Sequence, residues 1–295
     1  MRELTSERIQ SALTTRRLGH PALFYERVGS TNDVVHARAA AGAAEGLLVV
    51  AEEQTAGRGR LDRTWWAPPG SSLLVSLLFR PSATAHLAGQ LAMCLGLGAV
   101  EGIEDVTGLR PALKWPNDLV MGGRKLGGML SETRLVGDRL DWAVLGLGLN
   151  VNLDFSGAPS SLTDLSQVAT SLSLALGRPV DRLPLLAAIL SRCEAWYDRW
   201  LLAQKQPAVG GGAGGQVQDL PLQHGGGLAE AWAARLDTLG RQVTVAMPGG
   251  LRSGVAIGVS PEGALLLRAD DGRVHAVWSG DVTSLRSAVR SPAPG

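Results

Sequence analysis

The stretch EGLLVVAEEQTAGRGRLDRTWWAPPGSSLLVSLLFRP, Glu45–Pro81, decides how this chain is organised. EGLLVVAEE predicts a short buried strand. SSLLVSLLFRP predicts the next one, closed by Pro81, which has no N–H to continue a ladder. Between them, Gly57 and Gly59 alternate with Arg58 and Arg60, so the backbone is free to turn sharply and approach a ligand closely. The planar arginine fork suits carboxylate or phosphate oxygens. Arg63 and Trp65 follow, and an indole can stack on a flat heteroaromatic while arginines hold its phosphate. Taken alone, the run also reads as a solvated basic turn.

Working outward, Ser6–Thr14 predicts a short helix capped by Ser6, with Ile9 and Leu13 on one face. Ala22–Arg27 predicts a strand, and STND starts a helix with Ser30 or Thr31 as N-cap. Downstream, His86–Ile103 predicts a buried helix weakened by its glycines. ALKWPNDLVMGGRKLGGMLSETRL reads as strand, GG turn, strand. WAVLGLGLNVNL is a further buried strand whose glycines leave room for something to come close. In VDRLPLLAAILSRCEAWYDRWLLA, Leu185, Ile189, Cys193 and Trp196 recur at helical spacing.

The Gly-rich run 204–227 reads as a flexible linker or insertion. After it come a short helix, LAEAWAARLDTLG, and brief strands separated by SPEG and DDG turns, which suggest a small barrel. The expected layout is a mixed helix-and-sheet domain over 1–203, a linker over 204–227, and a connecting helix with a small β-barrel over 228–290.

Composition narrows the function classes. With 295 residues and 45% apolar content the chain can bury a sizeable core. A net charge of +1 argues against a broad basic face for duplex DNA. Cys94 and Cys193 stand alone, so neither a disulfide framework nor a structural zinc site is expected, and a reducing, cytoplasmic compartment is. The first residues carry charges throughout and lack a secretory apolar core. The most apolar window, 86–103, is too short and broken to span a bilayer. The five histidines, His20, His36, His86, His224 and His275, fit neither metal spacing nor a Ser-His-Asp arrangement, and no metal centre is expected.

A second cationic element strengthens the ligand reading of the loop. Lys114 in KWPND and Lys125 in RKLGG flank the GG turn, and a hairpin there brings both toward one pocket. Lysines and arginines converging in this way imply a highly anionic ligand such as a nucleotide triphosphate. No GxxxxGK[ST] P-loop occurs, and LGLGLN lacks the third glycine of a dinucleotide fingerprint. Ser30, Thr31 and Asn32 offer donors at a helix N-terminus, or simply cap it. Gln54 supplies a neutral donor and acceptor suited to a urea or amide. Asn117 and Asp118 are read as an Asx turn.

In order along the chain, STN at Ser30, GRGR with RTW from Gly57, KWPND at Lys114, RKLGG at Arg124 and GLGLN at Gly146 resemble biotin protein ligases, closely over 24–152 and more loosely into the tail. The resemblance implies an α+β fold of the class II aminoacyl-tRNA synthetase and biotin ligase type, followed by an SH3-like barrel. It implies formation of biotinyl-5′-adenylate from biotin and ATP with Mg²⁺, then transfer to a lysine of the biotin carboxyl carrier protein of acetyl-CoA carboxylase. Residue by residue it implies that Ser30, Thr31, Asn32 and Gln54 meet the biotin rings and that Arg58, Gly59 and Arg60 fold over biotin and adenylate. Lys125 then touches the biotin carboxylate and α-phosphate, and Lys114 sits near the phosphates, making Lys125, Arg58 and Lys114 the expected catalytic set. Arg63 and Trp65 face the nucleotide, and Gly146, Gly148 and Asn150 line the floor.

Asp62, where a glycine is usual, and the Gly-rich run depart from the pattern. The short segment before Phe24 leads us to expect a monofunctional enzyme without specific DNA binding, either monomer or homodimer and without membrane association. Lipoate–protein ligase is the nearest alternative, and a biotin-sensing repressor is an alternative of a different class.

Overall fold

The computed structural model describes residues 3–60, 63–159, 165–205, 227–247 and 249–284. Its first sheet is built from β1 (Ala22–Val28), β2 (Leu48–Gln54), β3 (Ser72–Phe79), β4 (Ala112–Lys114), β5 (Asp118–Met121), β6 (Arg124–Val136) and β7 (Arg139–Asn150). These lie in the order β1-β2-β3-β7-β6-β5-β4. β1 runs parallel to β2, and the other pairings are antiparallel. A parallel pair needs a crossover, and α2 (Thr31–Ala40) supplies it. The sheet is therefore mixed, as expected.

The two bracketing strands sit at the centre. All eight residues of β3 are buried, with Leu77 and Phe79 in one core cluster and Leu78 in the other. That alternation is the period of two in a strand covered on both faces. On one side α2 packs Val35 and Ala39 against Val49, Leu78 and Val144. On the other lie α3 (Ala88–Thr107) and α6 (Arg182–Lys205). The segment Ala85–Thr107 is long and apolar enough to cross a membrane, but it is mostly buried within this core. Leu185, Ile189, Cys193 and Trp196 of α6 are buried, as their spacing predicts.

The N-terminus departs from the expected capping. Thr5 caps α1 (Ser6–Ala12) by accepting from Arg8 N, whereas Ser6 Oγ accepts from Phe24 N at 2.8 Å and ties the helix to β1. The KWPND hairpin is also more elaborate than a single turn. Its WPN turn inserts β5 between β4 and β6, and the tight turn lies at Gly122–Gly123, both at positive φ. Lys114 and Lys125 thus stand on strands that are not neighbours. The short helices α4 (Leu165–Val168) and α5 (Leu172–Leu176) follow β7.

The tail forms β8 (Gln242–Met247), β9 (Gly250–Val259), β10 (Leu265–Arg268), β11 (Val274–Val277) and β12 (Asp281–Ser284), ordered β11-β10-β9-β8-β12 with antiparallel pairings. This is the small β unit anticipated from its turns, and it agrees with the SH3-like barrel that the resemblance implies. α7 (Leu228–Ala234) packs against the first sheet's helices: Trp232 fills the space beside Gly96, and Leu113 exchanges backbone bonds with Arg235 and Asp237. The two domains touch where Trp115 Nε1 donates to Gly263 O at 3.0 Å and Gln90 Nε2 donates to Pro261 O at 2.8 Å. Most of the Gly-rich run, 206–226, lies outside the described residues.

Candidate active site

A cavity of about 250 Å³ opens between the sheet and the 57–65 loop, and the edge of the SH3-like unit closes one side of it. The loop folds back on itself. Gly59 N donates to Arg63 O at 2.6 Å, Trp65 N donates to Gly57 O at 2.9 Å, and Arg58 bridges to Thr64. Leu61 and Asp62 lie outside the described residues, and so does the expected effect of Asp62.

At one end, the start of α2 presents a polar row. Ser30 occupies the N-cap position without a side-chain capping bond. That work falls to Gln54, whose Oε1 accepts from Thr31 N at 2.7 Å and from Thr31 Oγ1 at 3.1 Å. Ser76 Oγ lies 2.7 Å from Thr31 Oγ1 and 2.6 Å from Asn32 Oδ1. Ser30, Thr31, Asn32 and Gln54 all line the cavity, so these four expected residues are brought together.

Lys125, Arg63 and Arg60 lie toward the other end, and Arg58 stays beside the polar row through Asp33 and Glu132. Lys125 Nζ donates to Asp118 Oδ1 at 2.6 Å and lies 5.7 Å from the centre of the Trp65 ring. Arg63 pairs with Asp281 of β12 at 2.5 Å. Arg60 donates to the neutral oxygens of Asn117 and Gly280, both at 3.3 Å. Arg58 is held in a fork by Asp33 at 2.7 and 3.0 Å and lies 3.3 Å from Glu132. The bond to Asp33 raises the Arg58 pKa further, while its partial burial pulls the other way. Lys125, Arg63 and Arg58 thus each face a carboxylate, while Arg60 is bonded to neutral oxygens and keeps its charge for a ligand.

Arg58, Gly59, Arg60, Arg63, Trp65 and Lys125 line the cavity, as do Gly146, Gly148 and Asn150. Lys114 is not among the lining residues; it stands one strand further out, on β4, directly opposite the lining residue Asp118 of β5. The floor glycines also act differently from expectation. A Cβ at Gly146 would collide with Asn32 Oδ1, and one at Gly148 would lie 2.6 Å from the Trp65 ring. They make room for two protein side chains that shape the cavity, not for open space. Asn150 spends its amide on Thr170 O at 3.0 Å, tying the end of β7 to the following segment.

Trp65 Nε1 is buried and faces no acceptor among the described residues. A buried donor without a partner costs about 1–3 kcal/mol, so a ligand acceptor there is favoured. Reading the sequence alone did not single out Ser76, Glu132, Asp33 or Asp281. Ser76 carried a signal, being polar inside an otherwise apolar strand run; the three carboxylates carried none. Asp118, expected in an Asx turn, instead begins β5 and partners Lys125. Among the described residues no group of three or more His, Cys, Asp or Glu is placed to hold a metal ion.

Comparison with known proteins gives the family. Residues 24–150 match the Biotin/lipoate A/B protein ligase family, and residues 238–283 match the Biotin protein ligase C terminal domain. The chain is 34% identical over 267 residues to the biotin–[acetyl-CoA-carboxylase] ligase of Mycobacterium tuberculosis, covering 88% of this chain and 87% of that one. It is 32% identical over 280 residues to the bifunctional ligase/repressor BirA of Bacillus subtilis, covering 95% of this chain and 79% of the relative. Among solved structures, the biotin protein ligase from Aquifex aeolicus in complex with biotin and ATP superposes with a TM-score of 0.68 at 28% identity, covering 90% of this chain and 99% of that one. By sequence, by fold and by the residues gathered around its cavity, the chain belongs to the biotin protein ligase family.

Proposed function

We propose that this protein activates biotin with ATP and transfers it to a lysine of a biotin carboxyl carrier protein, that of acetyl-CoA carboxylase, in the cytoplasm. The observation that carries the reading is one cavity with a polar row at one end, Ser30, Thr31, Asn32 and Gln54, and Arg60, Arg63, Lys125 and Trp65 at the other. Biotin has the matching polarity: a ureido ring that both donates and accepts, and a carboxylate at the end of an apolar chain.

In the first step a carboxylate oxygen of biotin attacks the α-phosphorus of ATP, forming the mixed anhydride as pyrophosphate leaves. Two anions must meet, so Lys125 offsets their repulsion and stabilises charge on the phosphoryl oxygens. Arg60 and Arg63 hold the nucleotide phosphates, Mg²⁺ enters with the triphosphate as part of the substrate, and the Trp65 indole packs beside the nucleotide. In the second step the lysine ε-amine attacks the anhydride carbonyl, AMP leaves, and the nitrogen gives up its proton. Loop residues 57–60 and 63–65, tied to the SH3-like unit through Arg60 and Arg63, keep water from the anhydride. The working units are a catalytic domain over 1–203, the 204–227 segment, and the helix with SH3-like unit over 228–290.

ATP–pyrophosphate exchange tests this reading. Exchange that needs biotin and is not supported by lipoate agrees with it. Exchange driven by lipoate instead makes the enzyme a lipoate ligase, and no exchange with either acid overturns adenylation altogether.

A further inference from the structure

We propose that Glu132 is a positioning residue that fixes Asn32 at the ring-recognising end of the cavity and, from the same carboxylate, holds Arg58 of the loop above. The inference rests on the biotin-activating reading and deepens it.

Glu132 Oε2 accepts from Asn32 Nδ2 at 2.6 Å, while Asn32 Oδ1 lies 2.6 Å from Ser76 Oγ. A carboxylate only accepts, so the amide nitrogen must face it and the amide oxygen must face the serine hydroxyl. Both ends of Asn32 are thereby assigned, and one N–H remains for a ligand. Gly146 allows this placement, since a side chain there would occupy the Asn32 position.

The same carboxylate reaches the loop. Arg58 Nη2 lies 3.3 Å from Oε1 and 3.5 Å from Oε2, beside the shorter two-bond fork that Asp33 makes with Arg58 at 2.7 and 3.0 Å. Behind Glu132, His36 Nε2 lies 3.5 Å from Oε2, and Trp142 Nε1 donates to His36 Nδ1 at 3.3 Å. An indole only donates, so His36 Nδ1 accepts and the ring proton sits on Nε2, toward Glu132. Glu132 thus gathers three groups from α2 and the loop at one point on β6.

Glu132 and Arg58 are 33% and 39% exposed, so their pairing contributes little to folding stability. What it controls is position. A substrate ring held by Asn32 and a loop held through Arg58 both rest on Glu132, with Asp33 as the second tie of Arg58, so ring binding and retention of the intermediate are linked through this carboxylate.

The two carboxylate roles separate in two variants, read by biotin KM in pyrophosphate exchange and by the rate at which bound biotinyl-adenylate escapes. Glu132→Ala removes both acceptors and should raise biotin KM and the escape rate about tenfold each, as loss of a charge-assisted bond does. Glu132→Gln still offers Asn32 an amide oxygen but no charge to Arg58. Its KM should return to within about threefold of wild type while escape stays fast. Glu132→Ala within twofold of wild type in both readouts overturns the proposal, and so does Glu132→Gln matching Glu132→Ala in KM. Should Glu132→Ala fail to fold, Glu132→Gln decides alone: faster escape at near-normal KM supports the proposal, and unchanged escape overturns it. A wild-type protein without biotin-dependent exchange would instead refute the functional reading itself.

Discussion

Lys125 Nζ and Asp118 Oδ1 lie 2.6 Å apart across the β5–β6 pair, beneath the ring of Trp65. The ammonium is thereby aimed by a carboxylate and placed under the loop, where a phosphate would come. Lys125→Ala should slow adenylate formation about 10²–10³-fold, as loss of one oxyanion donor does. Lys125→Arg should rescue only in part, since a wide fork does not replace a point charge. Stopped-flow or quench measurement of the first half-reaction checks this. Transfer from preformed biotinyl-adenylate should suffer less, and equal loss in both halves would contradict the assignment.

Arg63 and Asp281 join the loop to the SH3-like unit. Arg63 is 68% exposed, so Asp281→Ala should move the melting temperature by no more than about 2 °C. Its expected effect is a raised KM for ATP and faster hydrolysis of the bound intermediate, because the loop loses a tie to β12. A large stability loss with normal kinetics would show that the contact serves folding alone.

The strands bracketing the loop, the glycine-bearing helix α3 and the long α6 were all legible, because burial on both faces or on one stripe writes a period into the chain. The polar row and the loop arginines were legible as residue types at element ends. What escaped was pairing. Lys114 and Lys125 look equivalent in sequence, and the extra strand made by WPN, which puts Asp118 between them, is not written in either segment. Gly146 and Gly148 read as space for a ligand because nothing local shows that Asn32 and Trp65, far away in the chain, fill it. Ser6 was read as a cap since Thr5 and Ser6 offer the same hydroxyl chemistry one residue apart.

Gly98 is a case where local propensity points the wrong way. Alanine there should favour the helix by nearly 1 kcal/mol. Yet a Cβ at Gly98 would lie 2.6 Å from the backbone nitrogen of Cys193, and one at Gly102 would lie 2.6 Å from that of Ile189. α3 and α6 meet backbone to backbone, so Gly98→Ala should destabilise the protein by about 1–3 kcal/mol through forced separation. Urea unfolding checks the sign, and a stabilised variant would contradict the close packing.

Glu194 on α6 accepts from the backbone N–H groups of Arg16, Leu18 and Arg17 at 2.7–2.9 Å, docking the N-terminal segment. Burial works to raise its pKa, but the three N–H bonds outweigh it and hold the carboxyl below the ordinary glutamate value. The contribution to stability is therefore complete above that ordinary value, near 4.5, and is lost as pH falls through the lowered folded pKa. Glu194→Gln should cost about 1–3 kcal/mol at pH 7, with the gap to wild type narrowing below about pH 4. Denaturant unfolding across pH reads this directly, and a gap that widens in acid would reverse the sign.

The most direct measurement is incubation of the protein with ATP, labelled biotin and an apo carrier domain, followed by detection of label on protein after denaturation. The account predicts ATP-dependent label on the carrier, abolished when its acceptor lysine is replaced by arginine and not competed by lipoate. A carrier left unlabelled, or labelled equally without ATP or at residues other than that lysine, would contradict it.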